Sequence, residues 1–114
     1  MPVEFEEGFN PTLFKCIDKA ITSILGREAV STFYYAIEET NHIPEADFPK
    51  RPLDVLQYFE KILGESGFAI IEKAIIVEIE NTFKITQSHL DIEGTIELAR
   101  KNYIFGDISV PELR

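Results

Sequence analysis

The chain has a single cysteine, Cys16, and no tryptophan. One cysteine excludes a disulfide within the chain, whereas secreted domains of this size usually contain several. Residues 1–7 lack the basic start and the apolar run of a signal peptide. These absences predict a cytoplasmic protein.

A cluster of basic residues is also missing. The densest basic group is the pair Lys50-Arg51, in a chain whose net charge is −9. An acidic surface repels nucleic-acid backbones and anionic headgroups, because Lys and Arg supply much of the affinity for both. Apolar runs reach about four residues, far short of the roughly 20 that span a bilayer. We therefore expect neither a nucleic-acid nor a membrane partner.

The sequence does contain the apolar residues of one folded domain. Hydrophobic residues make up 45% of 114 positions, which is enough for a single core. Asn10 and Pro11 predict a helix start, as N-cap and first helical residue, and Gly26 predicts its end. The first two helices are predicted at 11–25 and 28–41, with apolar stripes of Leu13, Phe14, Ile17, Ile21, Ile24, Leu25, Val30, Phe33, Tyr34 and Ile37.

Three further helices are predicted. Pro52 begins the third and Gly64 ends it, and the fourth spans 66–83 with apolar residues on nearly all sides, as at the centre of a bundle. A strand at 75–79 is the main alternative for the fourth segment, since it is rich in β-branched residues. Ser88 with Asp91 resembles a capping box for the fifth helix, whose seam is Ile92, Ile96, Ala99 and Tyr103.

These segments predict an all-α fold. We expect a compact bundle of about five helices, arranged as two helical hairpins plus a C-terminal helix and tail, in one domain over 1–114. An acidic N-terminal segment is expected at 1–9 and an irregular apolar tail at 104–114, which contains Gly106 and Pro111. The segment 42–51 contains Pro44 and Pro49 and is predicted to be a loop held to the core by Ile43 and Phe48.

The two halves of the chain resemble each other at an offset of 38 residues. Ile24-Leu25-Gly26 matches Ile62-Leu63-Gly64, and several apolar positions correspond between the halves. A period of this size with two helices is typical of helical repeats. Two unrelated helical hairpins would share the same stripes and terminal glycine, so the pattern leaves duplication open.

One set of residues is similar to a known family. The pattern consists of Ile24-Leu25-Gly26, Phe33-Tyr34-Tyr35, Ile43-Pro44, Pro52-Leu53, Ile62-Leu63-Gly64, Gly67, Ile71-Glu72, Ile75, Ile79-Glu80 and Phe83. It resembles the Nitrosopumilus output domain family, small archaeal helical domains of unknown function, over about 11–85. The resemblance implies a non-catalytic role, as the output or partner-binding part of a signalling protein, and supplies no catalytic residues.

Few residues suggest chemistry. Glu38 and His42 lie four apart and are weak candidates for metal ligands, but a zinc site needs three or four. A solvated helix end explains them better, so no metal, cofactor or catalytic residue is predicted. His89, Asp91 and Glu93 are interpreted as the start of a helix, where acidic groups are favoured. Cys16 is interpreted as a buried core residue.

Three residues are candidates for an interface or a buried polar position: Glu78, Tyr35 and Phe105. Glu78 lies on an otherwise apolar helix face, where a carboxylate must be paired, protonated or exposed. A Lys or Arg from another helix or another subunit could pair with it. Tyr35 is expected at the surface, where tyrosine favours interfaces.

The sequence therefore favours a non-enzymatic protein-interaction or signalling output module. The partner would be another protein or a second copy of the chain, because a helix apolar on all sides needs more cover than a small monomer offers. The alternative is a small-ligand-binding domain with an apolar pocket between helices. An enzyme is the least supported, since no motif combines a nucleophile, a base and an orienting group.

Overall fold

The structure is a computed structural model that describes residues 2–85 and 91–109, with side chains for 8–85 and 91–103. Four α-helices follow one another: α1 (Pro2–Leu25), α2 (Arg27–Asn41), α3 (Pro52–Phe83) and α4 (Ile92–Ser109). A 3₁₀ helix, Glu45–Lys50, lies between α2 and α3. The described residues contain no strand, so the all-α prediction is confirmed and the strand alternative at 75–79 is wrong.

Two glycines divide the helices as the sequence predicts. Gly26 separates α1 from α2 with φ 93° and ψ 153°, and Gly64 interrupts α3 with φ 77° and ψ 173°. This combination of positive φ and extended ψ is nearly restricted to glycine. Helix α3 therefore consists of two helical parts, 52–63 and 65–83, joined by one residue, just as Gly26 alone joins α1 to α2.

The start of α1 corrects one prediction. The helix begins at Pro2, so Asn10 is not its N-cap and Pro11 lies inside it. A proline inside a helix costs about 3 kcal/mol. Phe9 helps to offset that cost: it is fully buried against Phe83, with ring centroids 5.2 Å apart, and burying a phenylalanine contributes up to about 3 kcal/mol. The expected acidic segment at 1–9 is therefore helical from residue 2.

The core lies along one face of α3, which contacts α1, α2, α4 and the 3₁₀ helix. In its second part the side chains on the core side are buried: Phe68, Ile71, Ile75, Ile79 and Phe83. The 3₁₀ helix adds Phe48, which is fully buried beside Tyr34 with ring centroids 5.1 Å apart. Ile43 and Phe48 thus hold the 42–51 connection to the core, as predicted.

Helix α4 packs against the second part of α3 and runs parallel to it. Asp91 caps its start, since its Oδ1 accepts a hydrogen bond from the Gly94 N–H at 2.8 Å. The helix thus begins at Ile92 with Asp91 as cap, rather than with Ser88, which lies outside the described residues. Near the other end, Asn102 Nδ2 donates to the Phe83 carbonyl at 2.5 Å and satisfies the C-terminus of α3.

The end of α4 corrects a second prediction. The helix continues through Gly106 to Ser109, so 104–109 are not irregular. A glycine inside a helix costs only about 1 kcal/mol, which does not end a helix by itself. Residues 110–114 of the expected tail lie outside the described residues, as do the side chains of 104–109.

Candidate functional site

Glu78 forms an ion pair within the chain. Its Oε1 lies 3.7 Å from Lys19 Nζ of α1, and its side chain is 25% exposed. The Lys19 side chain is 73% exposed, and such surface pairs contribute little to stability. Pairing with a lysine from another helix is one of the arrangements that the sequence left open, and here it does not require a second subunit.

No side-chain hydrogen bond or ion pair joins Glu38 to His42, both of which the structure describes. Glu38 Oε2 accepts a hydrogen bond from the Glu45 N–H at 2.7 Å, at the start of the 3₁₀ helix. His42 is the C-cap of α2, with φ 58°, and its N–H bonds to the Glu38 carbonyl. Glu38 thus binds the start of the 3₁₀ helix, and His42 ends α2. Within the described residues, no three His, Cys, Asp or Glu side chains converge as metal ligands.

Two further candidates are only partly described. His89 and the side chain of Phe105 lie outside the described residues, while Asp91 caps α4 and Glu93 is in its first turn.

Cys16 is 3% exposed, as predicted for a core residue. Burial raises the pKa of its thiol, which disfavours the nucleophilic thiolate.

A polar cluster joins α1 to α2 beside Gly26. Tyr34 Oη donates to Asp18 Oδ1 at 2.7 Å, and Arg27 approaches both Asp18 oxygens at 3.3 and 3.4 Å. Burial, followed by the hydrogen bond to Asp18, raises the pKa of Tyr34. We call these three residues the α1–α2 clasp. It stabilises the hairpin rather than reacting with a ligand, because Asp18 is occupied by two partners from its own chain.

Sequence reasoning did not identify the clasp, although a signal exists. Asp18 and Tyr34 each lie eight residues from Gly26, on opposite sides. Residues at equal distances from a hairpin turn face each other when the helices fold back. A buried tyrosine needs a partner for its hydroxyl, and Asp18 is an acceptor at that distance.

The second part of α3 also exposes apolar side chains on the side opposite the core. Ile70 is 63% exposed and Val77 is 51% exposed. We define the outer face of α3 by six residues at helical spacing: Ala69, Ile70, Lys73, Ile76, Val77 and Glu80. Ala69 and Lys73 are exposed, whereas Ile76 and Glu80 are half-buried. The predicted helix with apolar residues on most sides therefore has a covered side and an uncovered one.

The equivalent face of α2 has a different character. At an offset of 38 residues, the apolar Ala69, Ile70, Ile76 and Val77 correspond to the polar residues Ser31, Thr32, Glu38 and Glu39. Tyr35 corresponds to Lys73 and is 64% exposed, as expected from the sequence. An exposed apolar face is therefore not a general property of these helix pairs but a feature of α3.

The outer face of α3 also contains an incompletely satisfied carboxylate. Glu80 Oε2 is shielded from solvent and has no hydrogen-bond partner among the described residues. A carboxylate that has lost part of its hydration is stabilised by a nearby cation. Lys73 and Glu80 take part in none of the ion pairs formed by residues 8–85 and 91–103.

Two open grooves lie elsewhere on the described surface, and polar residues predominate in the lining of both. The larger, about 530 Å³, lies between the end of α2 and the first part of α3 and is lined by Thr40, Asn41, Ile43, Arg51, Asp54, Gln57, Tyr58, Lys61 and Ile62. The smaller, about 280 Å³, lies near Lys50 and Arg100. Polar and charged residues outnumber apolar ones in both linings, whereas typical small-molecule sites are lined mainly by hydrophobic and aromatic side chains.

Comparison with protein-family models, with curated proteins and with solved structures finds no match for this chain. The resemblance to the archaeal output domains therefore stays a prediction. Among the described helices, none is long and apolar enough to cross a membrane.

Proposed function

We propose that this domain is a non-catalytic protein-interaction module that self-associates through the outer face of α3. The observation that carries the proposal is the exposure of Ile70 and Val77 on the side of α3 opposite its buried residues. Covering two half-exposed aliphatic side chains contributes roughly 1 kcal/mol each. A second copy contributes the same residues, so the gain doubles in a dimer.

The polar side chains support a non-catalytic role through what they bind. Asp18 holds Tyr34 and Arg27, while Glu38 and Asp91 cap helix starts. Glu72 accepts a hydrogen bond from the Ile92 N–H at 3.2 Å. Each of these carboxylates is committed to holding the fold together. Output from a signalling protein, which the resemblance implies, would use such a domain as a docking unit.

The alternative function, binding of a small ligand in an apolar pocket between helices, has less support. Both described grooves are open and lined largely by polar residues. A ligand in the larger groove would meet Arg51, Asp54 and Lys61, whereas the sequence suggested an apolar pocket.

Light scattering over a range of concentrations tests the proposal. An interface limited to one helix face buries less than the ~800 Å² per partner of typical stable complexes, so we expect a weak dimer. The mass should rise from 13.0 kDa toward twice that value between about 10 μM and about 1 mM. A constant mass of 13.0 kDa over this range would contradict self-association.

A paired variant locates the surface. Ile70→Thr with Val77→Thr preserves β-branching and net charge while removing apolar area, so the dimer should dissociate without loss of the fold. Tyr35→Ser is the matched control, because Tyr35 is exposed to the same degree on α2. If Tyr35→Ser dissociates the dimer and the α3 variant does not, the interface lies on α2.

A further inference from the structure

The charges on the outer face of α3 have a self-complementary arrangement. Lys73 and Glu80 are one heptad apart, about 10 Å along the helix, and Ile76 and Val77 lie midway between them. The midpoint of the two charges is thus the midpoint of an apolar pair. A surface of this kind can match a copy of itself.

We propose that two copies pair through this face with their α3 helices antiparallel, about a two-fold axis that passes between Ile76 and Val77. This inference rests on the proposed function and specifies its geometry. A two-fold axis at that point places Lys73 of each copy opposite Glu80 of the other, so one register forms two ion pairs. Val77 then lies beside Val77 and Ile76 of the second copy.

Glu80 has no cation partner among the described residues. Glu80 has one oxygen shielded from solvent without a hydrogen bond in the described chain. The nearest cation along the helix, Lys84, has left the helical register, with φ 59°, and forms no ion pair with Glu80 among the described residues. Glu80 is half-buried, so Lys73 of a second copy would approach the part of its side chain that remains exposed.

Parallel pairing of the same faces is disfavoured. It would place Lys73 beside Lys73 and Glu80 beside Glu80, and like charges in contact weaken association. The ion pairs between Lys73 and Glu80 therefore favour a second copy as the partner and an antiparallel orientation of the two α3 helices. The net charge of −9 on each copy opposes any association, so the apolar residues must supply the attraction while the ion pairs fix the register.

The face of α2 provides a built-in comparison. Its equivalents of Lys73 and Glu80 are Tyr35 and His42, and its equivalents of Ile76 and Val77 are Glu38 and Glu39. A two-fold axis through that face would bring acidic residues of both copies together. The charges and the apolar residues thus favour self-association through the outer face of α3 rather than through the equivalent face of α2.

Charge reversal tests the register, with dimer dissociation constants measured by sedimentation equilibrium. Lys73→Glu and Glu80→Lys should each weaken the dimer about tenfold, since each turns two attractive pairs into repulsive ones. The double variant K73E/E80K restores opposite charges and should return to within about threefold of the original constant. Glu80→Lys is informative because it lowers the overall repulsion yet should weaken the dimer.

Two controls match the change in net charge. Lys61→Glu and Glu39→Lys alter exposed residues away from the face by the same amounts as Lys73→Glu and Glu80→Lys. Each should change the dissociation constant less than about threefold. Thermal unfolding verifies that each variant folds. If Glu80→Lys fails to fold, Glu80→Gln replaces it and should weaken the dimer by a smaller factor than Lys73→Glu.

The outcomes separate this inference from the proposed function. A dimer in which the double variant stays as weak as the single variants, or in which Lys73→Glu has no more effect than Lys61→Glu, would overturn the antiparallel register while self-association stands. A wild-type chain that remains monomeric would overturn both.

Discussion

The domain contains two helix pairs, α1 with α2 and the two parts of α3, and a single glycine joins the helices of each pair. The two pairs differ in what they contact. Gly26 and Gly64 have nearly the same backbone conformation, and several apolar residues at an offset of 38 are buried in both pairs. Ile17 and Val55, for example, are both fully buried. The glycine at each junction sets where the chain changes direction. The neighbouring side chains determine what each helix pair contacts.

The first pair is closed by its own polar contacts. The equivalents of Asp18, Arg27 and Tyr34 in the second pair are Leu56, Glu65 and Glu72, which cannot form the same clasp. Glu72 instead caps α4 by accepting from the Ile92 N–H. The second pair therefore supports another helix and, on its outer face, carries the apolar residues that α2 lacks. The first pair is thus closed by its own polar contacts, and the second leaves apolar side chains exposed.

Substitution of the glycines should have the largest effect on this comparison. Gly26→Ala and Gly64→Ala should each lower the free energy of unfolding by about 1–3 kcal/mol, because alanine is strained at these dihedral angles. Nothing lies within 4 Å of an added Cβ at either position, so backbone strain alone sets the cost. Urea denaturation measures it. A negligible cost at Gly64 alone would mean that α3 can straighten, and that the two joints are not equivalent.

Loss of the clasp should rank next. Asp18→Ala leaves the buried Tyr34 hydroxyl without its acceptor, which costs about 1–3 kcal/mol. Tyr34→Phe removes the hydroxyl itself and should cost less, about 1 kcal/mol. A double-mutant cycle from denaturation curves should show that the two effects are not additive. Additive effects would indicate that Asp18 stabilises the pair by some route other than Tyr34.

Alkaline pH provides a second test of the clasp. Because the pKa of Tyr34 is raised in the folded state, the folded chain retains a proton that the unfolded chain loses above about pH 10. The free energy of unfolding should therefore fall with increasing pH in this range, whereas titration of Tyr34 should cause no pH dependence below it. The fall should be shallower in Tyr34→Phe, by up to about 1.4 kcal/mol per pH unit. If the free energy of unfolding fell equally steeply in the wild-type chain and in Tyr34→Phe above about pH 10, the raised pKa of Tyr34 would be contradicted.

Weakening the hydrogen bond from α3 to the start of α4 should have the smallest effect. Glu72→Gln weakens the acceptor for the Ile92 N–H and should cost about 0.5–1 kcal/mol. The loss should be local, so hydrogen exchange should accelerate at the start of α4 more than in α1 or α2. Glu65→Gln, at an exposed position, is the control. Equal acceleration in both variants would show that Glu72 does not hold α4.

Local patterns predicted most of the fold but not its ends. The junctions at Gly26 and Gly64 can be predicted because glycine is the residue that most readily adopts a positive φ. The buried helix faces can be predicted because apolar residues recur at every helical turn. The starts of α1 and α4 depend on particular side-chain contacts: Phe9 packs on Phe83, which is distant in sequence, and Asp91 caps α4.

The candidate surface was harder to predict. The sequence marked Glu78, which pairs with Lys19, whereas the exposed apolar face became visible only once the buried side of α3 was known. Ile70 and Val77 have the same spacing as buried residues, and periodicity alone does not separate the two sides of a helix that is apolar on both.

Disulfide formation by Val77→Cys tests the central claim most directly. A two-fold axis beside residue 77 would bring the Cα atoms of that residue in the two copies within about 4.4–6.8 Å of each other, the range of a disulfide, while the native Cys16 is buried. Mild oxidation should therefore cross-link Val77→Cys into a covalent dimer, much faster than Tyr35→Cys at a similarly exposed site on α2. Equal rates for the two variants, or no cross-link through residue 77, would contradict docking of a second copy on α3 with residue 77 beside the two-fold axis.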